Sequence, residues 1–261
     1  MSHKGSFGHV RVFGGSPGFI GAPQLAGLGA YAGGAGLASI VCPDVVWPVV
    51  AAGSKEIMVH PESLAPWHEA DALVTGPGWG QERKALLASL LETDKPLVVD
   101  ADALNIIAAD LLLQEKLAAR KSLTVMTPHP GEAARLLGVT VEAIQSDRKR
   151  SVLALTNRYA CWVVLKGSET LIASPEQDIY LNPFGSPQLA IAGSGDVLSG
   201  MIGAQLARVS KGFGRADLLI CAAVALHGKA GEQGGWYLAG ELAGVVAALR
   251  QRIERGDGKS V

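Results

Sequence analysis

Two segments, Leu97-Val98-Val99 and Trp162-Val163-Val164-Leu165, run without a polar residue at alternate positions, the pattern of a strand buried on both faces. Strands of that kind belong to parallel sheets, because the crossovers that return the chain lay helices on both sides. Further short apolar runs at Val10 to Phe13, Leu37 to Val41, Ala72 to Val74, Leu123 to Met126 and Cys161 to Leu165 alternate with helical patterns. The alternation predicts an α/β fold in three layers, a mainly parallel central sheet sandwiched by helices. Past Lys166 the pattern changes. Thr170 to Ala173 and Ile179 to Leu181 read as a short hairpin, followed by a Gly/Pro/Ser-rich loop and three helices at about Asp196 to Val209, Ala216 to Gly234 and Ala239 to Arg255. No repeat, low-complexity tract or linker interrupts the chain, so a single domain over residues 1–261 is expected.

Composition narrows the function. At 48% hydrophobic and 18% charged residues the chain can bury a substantial core. A net charge of −1 lacks the basic surplus that nucleic-acid binding requires. The one dense basic run, Arg148-Lys149-Arg150, falls in a helical pattern and reads as a solvated face without a function. Cys42, Cys161 and Cys221 are scattered among apolar residues without a CxxC pair, which suggests buried, reduced thiols rather than a zinc site or a disulfide framework. The apolar stretch Leu218 to Leu226 is half the length of a membrane span, and the start MSHKGSFGHV has no signal-peptide core, so a cytoplasmic protein acting on small molecules is expected. The 33 glycines point to tight turns and closely packed helices. Trp47, Trp67 and Trp236 are candidates for an interface, although isolated aromatics of this kind are more often core.

In a parallel sheet the ligand site lies beyond the C-terminal ends of the strands. Residues directly after the apolar runs are Gly14-Gly15-Ser16, Gly76-Pro77-Gly78-Trp79-Gly80, Asp100-Ala101-Asp102, Thr127-Pro128-His129-Pro130-Gly131-Glu132 and Lys166-Gly167. The strongest local signal is Ala192-Gly193-Ser194-Gly195-Asp196-Val197-Leu198-Ser199-Gly200, a small-residue loop that runs straight into an apolar helix. The backbone amides of Gly193, Ser194 and Gly195 form a candidate anion hole at a helix N-terminus. Asp196 beside an anion site reads as a general base or, equally, as an ordinary helix cap. Neither GxGxxG nor GxxxxGK[ST] occurs in a context that supports dinucleotide or P-loop binding.

Lys166 ends a buried run, where it reads as a mobile cation above the sheet edge or as a lysine in a hairpin turn. His129, held between two prolines, is a candidate for substrate contact rather than metal binding, because no second histidine or cysteine has ligand spacing with it; a structural role is the alternative. His227, inside a helical stretch, reads as packed or capping, and His3, His9, His60 and His68 carry no pattern. The loop Gly14 to Ala22 admits a flat ring or pyrophosphate close to its backbone, or is only a tight turn.

Taken in order, GGSPGFIGA, GPGWG, DADALN, TPHPGEAARLLG, VVLKGSET and AGSGDVLSG resemble the ADP- or ATP-dependent NAD(P)H-hydrate dehydratases over nearly the whole chain, from Ser2-His3-Lys4-Gly5 onward. The resemblance implies a ribokinase-like fold and a lyase that repairs hydrated NADH and NADPH. It implies that Ala22, Gly78, His129 and Asp196 contact the hydrated cofactor. Lys166, Gly167, Ser168, Glu169, Thr170 and Gly195 would hold the adenine nucleotide, and Asp196 would be the catalytic base. The implied reaction phosphorylates the ring hydroxyl of the S-epimer and then loses phosphate, with ADP giving AMP. Mg2+ as cofactor, a homotetramer and a functional partnership with an epimerase, fused or separate, are implied as well, while no metal ligand is assigned. Two positions depart from the family pattern: its GTGD is here Gly193-Ser194-Gly195-Asp196, and a glycine-asparagine pair appears as Gly185-Ser186. The first keeps a small hydroxyl; the second bears on nucleotide fit. A small-molecule kinase of the hydroxymethylpyrimidine or hydroxyethylthiazole type and a non-catalytic nucleotide-binding subunit are the competing readings.

Overall fold

In the computed structural model, which describes residues 4–64, 69–233 and 238–256, the chain builds one sheet and covers both of its faces. The first half comprises β1 (His9–Phe13), α1 (Gly21–Gly33), β2 (Leu37–Cys42), α2 (Trp47–Gly53), β3 (Met58–Pro61), β4 (Ala72–Thr75), α3 (Lys84–Leu91), β5 (Leu97–Val99), α4 (Ala101–Ala108) and α5 (Leu111–Ala119). The second half comprises β6 (Thr124–Met126), α6 (Pro130–Leu137), α7 (Val141–Ser146), α8 (Arg148–Tyr159), β7 (Trp162–Leu165), β8 (Leu171–Ala173), β9 (Ile179–Leu181), α9 (Ser194–Ser210), α10 (Ala216–Gly231) and α11 (Ala239–Glu254). The strand order is β3-β2-β1-β4-β5-β6-β7-β8-β9. Every pairing from β3 to β7 is parallel, and β8 and β9 add an antiparallel ribbon.

The uniformly apolar strands do feed two cores. Val98, Val125 and Val164 point into a cluster with α1, α9, α10 and α11. Their neighbours Leu97, Val99, Met126, Val163 and Leu165 point to the other face, against α3, α4, α5, α6 and α8. On the first face α1 and α9 approach until backbone meets backbone. A Cβ added at Gly200 would lie 1.8 Å from the Ala26 carbonyl oxygen, so no larger residue fits there.

The order in which parallel strands are added reverses between β1 and β4, since β2 and β3 extend the sheet one way and β4 onward the other. That is the switch point at which open α/β sheets bind ligands.

Several sequence expectations change. β3 was not expected: it is a short edge strand, half-exposed or exposed along its length and ending in Pro61. Helix α10 stops at Gly231. Arg148 does not belong to a solvated face. Its guanidinium turns inward and donates to the carbonyls of Leu165 and Lys166 at 3.1 and 3.3 Å, while Lys149 and Arg150 stay exposed. Cys42 and Cys161 are buried but Cys221 only partly so, and burial pushes all three thiols up, to about 11, 12 and 11. None is a poised nucleophile. His9 is buried, with Nε2 2.8 Å from Ser39 Oγ. Trp47 is exposed rather than core, its indole N–H donating to the Val59 carbonyl at 3.1 Å. Trp67, Trp236, His3 and His68 lie outside the described residues. Among the described residues no helix is long and apolar enough to cross a membrane.

Candidate active site

The loops that follow β1, β4, β5, β6 and β7 meet above the sheet edge. Gly15 N–H donates to Pro77 O at 2.9 Å and Ser16 Oγ to Gly78 O at 2.9 Å, which binds the first glycine loop to the second. Gly78 packs directly on Ala22: a Cβ at Gly78 would stand 2.8 Å from the Ala22 Cβ. One turn further along α1, Leu25 abuts Gly193, so the first loop also neighbours the start of α9. Gly80 N–H and Gln81 Nε2 donate to the two oxygens of Asp102, at 2.8 and 3.3 Å.

At the centre stands Lys166. Its Nζ donates to Asp100 Oδ1 at 2.7 Å and lies 3.9 Å from Glu132 Oε2. Asp100 and Glu132 are buried. Burial opposes the charge on Lys166, but the two carboxylates outweigh it and hold the ammonium above its ordinary value. Burial likewise pushes Glu132 up to about 7, with Asp100 adding to the rise and Lys166 opposing it.

His129 is the N-cap of α6. Its Nδ1 accepts from the Gly131 and Glu132 amides at 2.9 and 3.3 Å, and Glu132 Oε2 accepts from the His129 amide at 2.7 Å, a reciprocal capping box. The structural role considered for His129 is therefore real. With Nδ1 an acceptor, the neutral ring carries its proton on Nε2, 3.3 Å from Glu132 Oε1. Burial first, then Lys166 and Arg135, lowers the His129 value, so the ring is neutral near pH 7.

Helix α9 opens with Gly193 as N-cap at φ 91°, a left-handed conformation that glycine supplies without strain. Asp196 makes no cap hydrogen bond, so the cap reading of this residue is set aside. Burial, reinforced by Asp100 and opposed by Lys166, pushes the Asp196 carboxyl up to about 7. Of the three amides expected to form the anion hole, that of Ser194 turns back to Ile191 O at 3.3 Å. Gly193 is the N-cap itself, and the amide of Gly195, together with that of Asp196, which was not among the three, is a first-turn group without an intrahelical acceptor. A Cβ on Gly195 would come within 3.4 Å of Lys166 Nζ.

Beside this cluster opens a cavity of about 610 Å3, within the range of small-molecule sites. Its wall takes in His129, Lys166, Gly167, Ser168, Glu169, Thr170, Ser194 and Gly195. Ala22, Gly78 and Asp196 are not on that wall; Ala22 and Gly78 follow β1 and β4, and Asp196 stands in the first turn of α9. The rest of the wall is formed by residues 182–187 and 189–191, by Leu198, and by Val224, His227 and Gly228 of α10. Ser186 donates to Gly231 O at 2.6 Å and accepts from the Gln188 amide at 3.3 Å, which fixes the turn. Asp100, Glu132, Arg148 and His227 were not singled out by sequence as site residues. Asp100 and Glu132 stand in the DADALN and TPHPGE segments, which was the available signal.

Among the described residues no group of three His, Cys, Asp or Glu side chains is arranged to hold a metal ion. Asp100 and Glu132 are engaged with Lys166, and Asp102 with Gly80 and Gln81. These carboxylates do not form a metal cage.

A family model described as NAD(P)H-hydrate dehydratase matches residues 10–236. The chain belongs to the NAD(P)H-hydrate dehydratase family. It is 44% identical to an ADP-dependent (S)-NAD(P)H-hydrate dehydratase of Neisseria meningitidis serogroup B, over 97% of this chain and 88% of that protein. It is 40% identical, over 79% of its length, to a bifunctional NAD(P)H-hydrate repair enzyme of Coxiella burnetii, of which it spans 42%. Among solved structures, the ADP/ATP-dependent dehydratase of Bacillus subtilis co-crystallised with ATP and Mg2+ superposes with a TM-score of 0.81 at 30% identity, covering 96% of this chain and 91% of that one. A ribokinase-like superfamily protein of Enterococcus faecalis superposes with a TM-score of 0.78 at 24% identity, over 96% and 89% of the two chains. The dehydratase thus has the ribokinase-like fold expected of it.

Proposed function

We propose that this chain, as a single domain, dehydrates the S-epimer of hydrated NADH and NADPH with ADP as phosphoryl donor, returning the working dihydronicotinamide. The observation that carries the reading is Asp196, poised near neutral pH at the start of α9 and beside the Lys166–Asp100 pair at the edge of a nucleotide-sized cavity. A general base works best when its pKa is near the operating pH.

In the proposed reaction Asp196 accepts the proton of the ring hydroxyl while that oxygen attacks the terminal phosphorus of the nucleotide. The P–O bond to the nucleotide breaks, and AMP leaves. The Gly195 and Asp196 amides, the α9 dipole and Lys166 stabilise the charge on the transferring group. The carbon next to the phosphorylated one then gives up its proton to solvent; the C–H electron pair forms the C=C double bond, and phosphate leaves with the C–O pair. Lys166 to Thr170 and Gly195 are assigned to the nucleotide. Ala22, Gly78, His129 and Asp196 are assigned to the hydrated ring. His129 offers Nε2–H as a donor, whereas Ala22 and Gly78 offer closeness of backbone. Mg2+ accompanies the phosphates of the nucleotide, and no step is assigned to it.

The same proposal includes a cytoplasmic homo-oligomer, tetrameric by resemblance, and functional partnership with an epimerase, in keeping with the bifunctional repair enzymes among its relatives. The purified protein is given hydrated NADPH and Mg2+ with ADP, with ATP or with neither, and the near-ultraviolet absorbance of the dihydronicotinamide is followed. Recovery with ADP and release of AMP and phosphate are expected. Stable phosphorylation of a thiazole or pyrimidine alcohol without recovery would instead favour the kinase reading.

A further inference from the structure

The buried histidine of α10 has no part in the chemistry proposed above, yet it touches the start of the phosphate loop. His227 is 7% exposed and borders the cavity. Its Nε2 lies 3.1 Å from the Ser194 carbonyl oxygen and 3.2 Å from Ser194 Oγ. A carbonyl oxygen only accepts, so Nε2 carries the hydrogen and donates it. Ser194 is the first residue of α9, and its own amide is bonded to Ile191 O at 3.3 Å. It is therefore held by its N–H and its carbonyl, with its hydroxyl close enough to share the one Nε2 hydrogen.

Resting on the functional reading above, we infer that His227 is a positioning residue: by holding Ser194 it sets where the Gly195 amide and the Asp196 carboxylate stand. The Gly195 amide belongs to the same planar peptide unit as the anchored carbonyl, and the Asp196 backbone begins one unit later. A polar ring buried between apolar helices is costly unless hydrogen-bonded, and the bonds to Ser194 are what offset that cost. The surrounding contacts between α9 and α10 are apolar, so packing alone would be served by leucine. Burial also pushes His227 down to about 4, with Lys166 adding to the fall and the Ser194 bond opposing it. The ring stays neutral over the working range and holds Ser194 without titrating.

The test compares full-length His227→Leu and His227→Gln with wild type. Leucine fills the space without a donor, whereas the glutamine amide can reach the place of Nε2. Thermal midpoint, ADP affinity by calorimetry without substrate, and kcat and KM for ADP in the dehydration assay are measured. The leucine variant is expected to fold, bind ADP several-fold more weakly and lose about 10- to 100-fold in kcat, as loss of an orienting partner does. The glutamine variant is expected within about threefold of wild type. Leucine enzyme with wild-type kcat and ADP affinity overturns the inference and leaves His227 a packing residue. Should the leucine variant fail to fold, His227→Asn replaces it. Its amide is too short to reach Ser194, so equal kcat for Asn and Gln overturns the inference. An inactive wild type would sink the functional reading instead, and the ADP affinities of the variants would then decide the positioning role alone.

Discussion

Lys166 at the end of β7 and Asp100 at the end of β5 meet across β6, Nζ to Oδ1 at 2.7 Å, with the lysine side chain 19% and the carboxylate 1% exposed. Two charges are hidden there at a desolvation cost that is recovered only while both remain. Glu132 and Asp196 add two more carboxyl groups to the field of the same ammonium. Burial first, and then the excess of acids over bases, keeps protons on this cluster, which is why Asp196 and Glu132 sit near 7 rather than near 4.

Replacing Lys166 by methionine removes the cation from that cluster. Breaking a buried pair from one side costs about 3–5 kcal/mol. The variant should lose stability of that order by urea denaturation at pH 8. Activity should fall at least about 100-fold, as when a charge-stabilising group is removed from a transition state. Wild-type stability in the methionine variant would show that the lysine is solvated and the pair idle.

Asp196 makes the pH dependence predictable. As a base it must be ionised, and its pKa of about 7 belongs to the free protein. The profile of kcat/KM should therefore rise with pH, with a midpoint near 7, and level off above it. Asp196→Asn should lower kcat by about 10²–10⁴-fold and abolish the rising limb. A profile in wild type that stays flat from pH 5 to 8 would remove Asp196 from the role of base.

Much of this arrangement was legible in the sequence because its strands are apolar on both faces and its glycine loops directly follow them. Val98 and Val164 face one helical layer and their neighbours the other, and a run without polar alternation can mean little else. β3 escaped because an edge strand needs neither an uninterrupted apolar run nor two buried faces, and Met58-Val59-His60-Pro61 has neither. Arg148 and His227 escaped for another reason. Each acts on a loop distant along the chain, 17 and 33 residues away, and periodicity shows which face a residue occupies but not which loop it meets. His129 was legible as a site-facing residue, whereas its capping bonds to Gly131 and Glu132 became visible only with the backbone in place.

Arg120 offers a control far from the site, just ahead of β6. Its Nη1 donates to the carbonyls of Leu90, Leu91 and Thr93 at 3.2, 2.5 and 3.0 Å, and its Nη2 to Lys95 O at 2.7 Å. These carbonyls close the end of α3 and the turn into β5; that of Leu90 also accepts from the Thr93 amide and hydroxyl, at 3.2 and 2.8 Å. Arg120→Ala should cost about 2–4 kcal/mol by removing the donor to the Leu91, Thr93 and Lys95 carbonyls. The kcat of the folded fraction should be unchanged. A fall in kcat without a fall in thermal midpoint would contradict this purely structural assignment.

The same Asp196 that activates the substrate should destabilise the empty protein at alkaline pH, and the sign follows from linkage. Its folded pKa of about 7 lies above the ordinary carboxylate value of 3.8, so between those limits the folded state holds a proton that the unfolded state has released. The resulting stabilisation is fully present below about pH 4 and is lost as the pH rises through 7. Asparagine cannot ionise and escapes that loss. Asp196→Asn should therefore match wild type in urea denaturation near pH 4. By pH 8 it should be the more stable protein, by on the order of 1–3 kcal/mol. ADP and Mg2+ are left out, since either would alter the field at the carboxylate. The variant would then be both slower and more stable, the trade expected where a site holds a charge for chemistry rather than for folding. If the two curves coincide from pH 4 to 8, Asp196 titrates as an ordinary carboxylate, and its burial beside Asp100 is not maintained in solution.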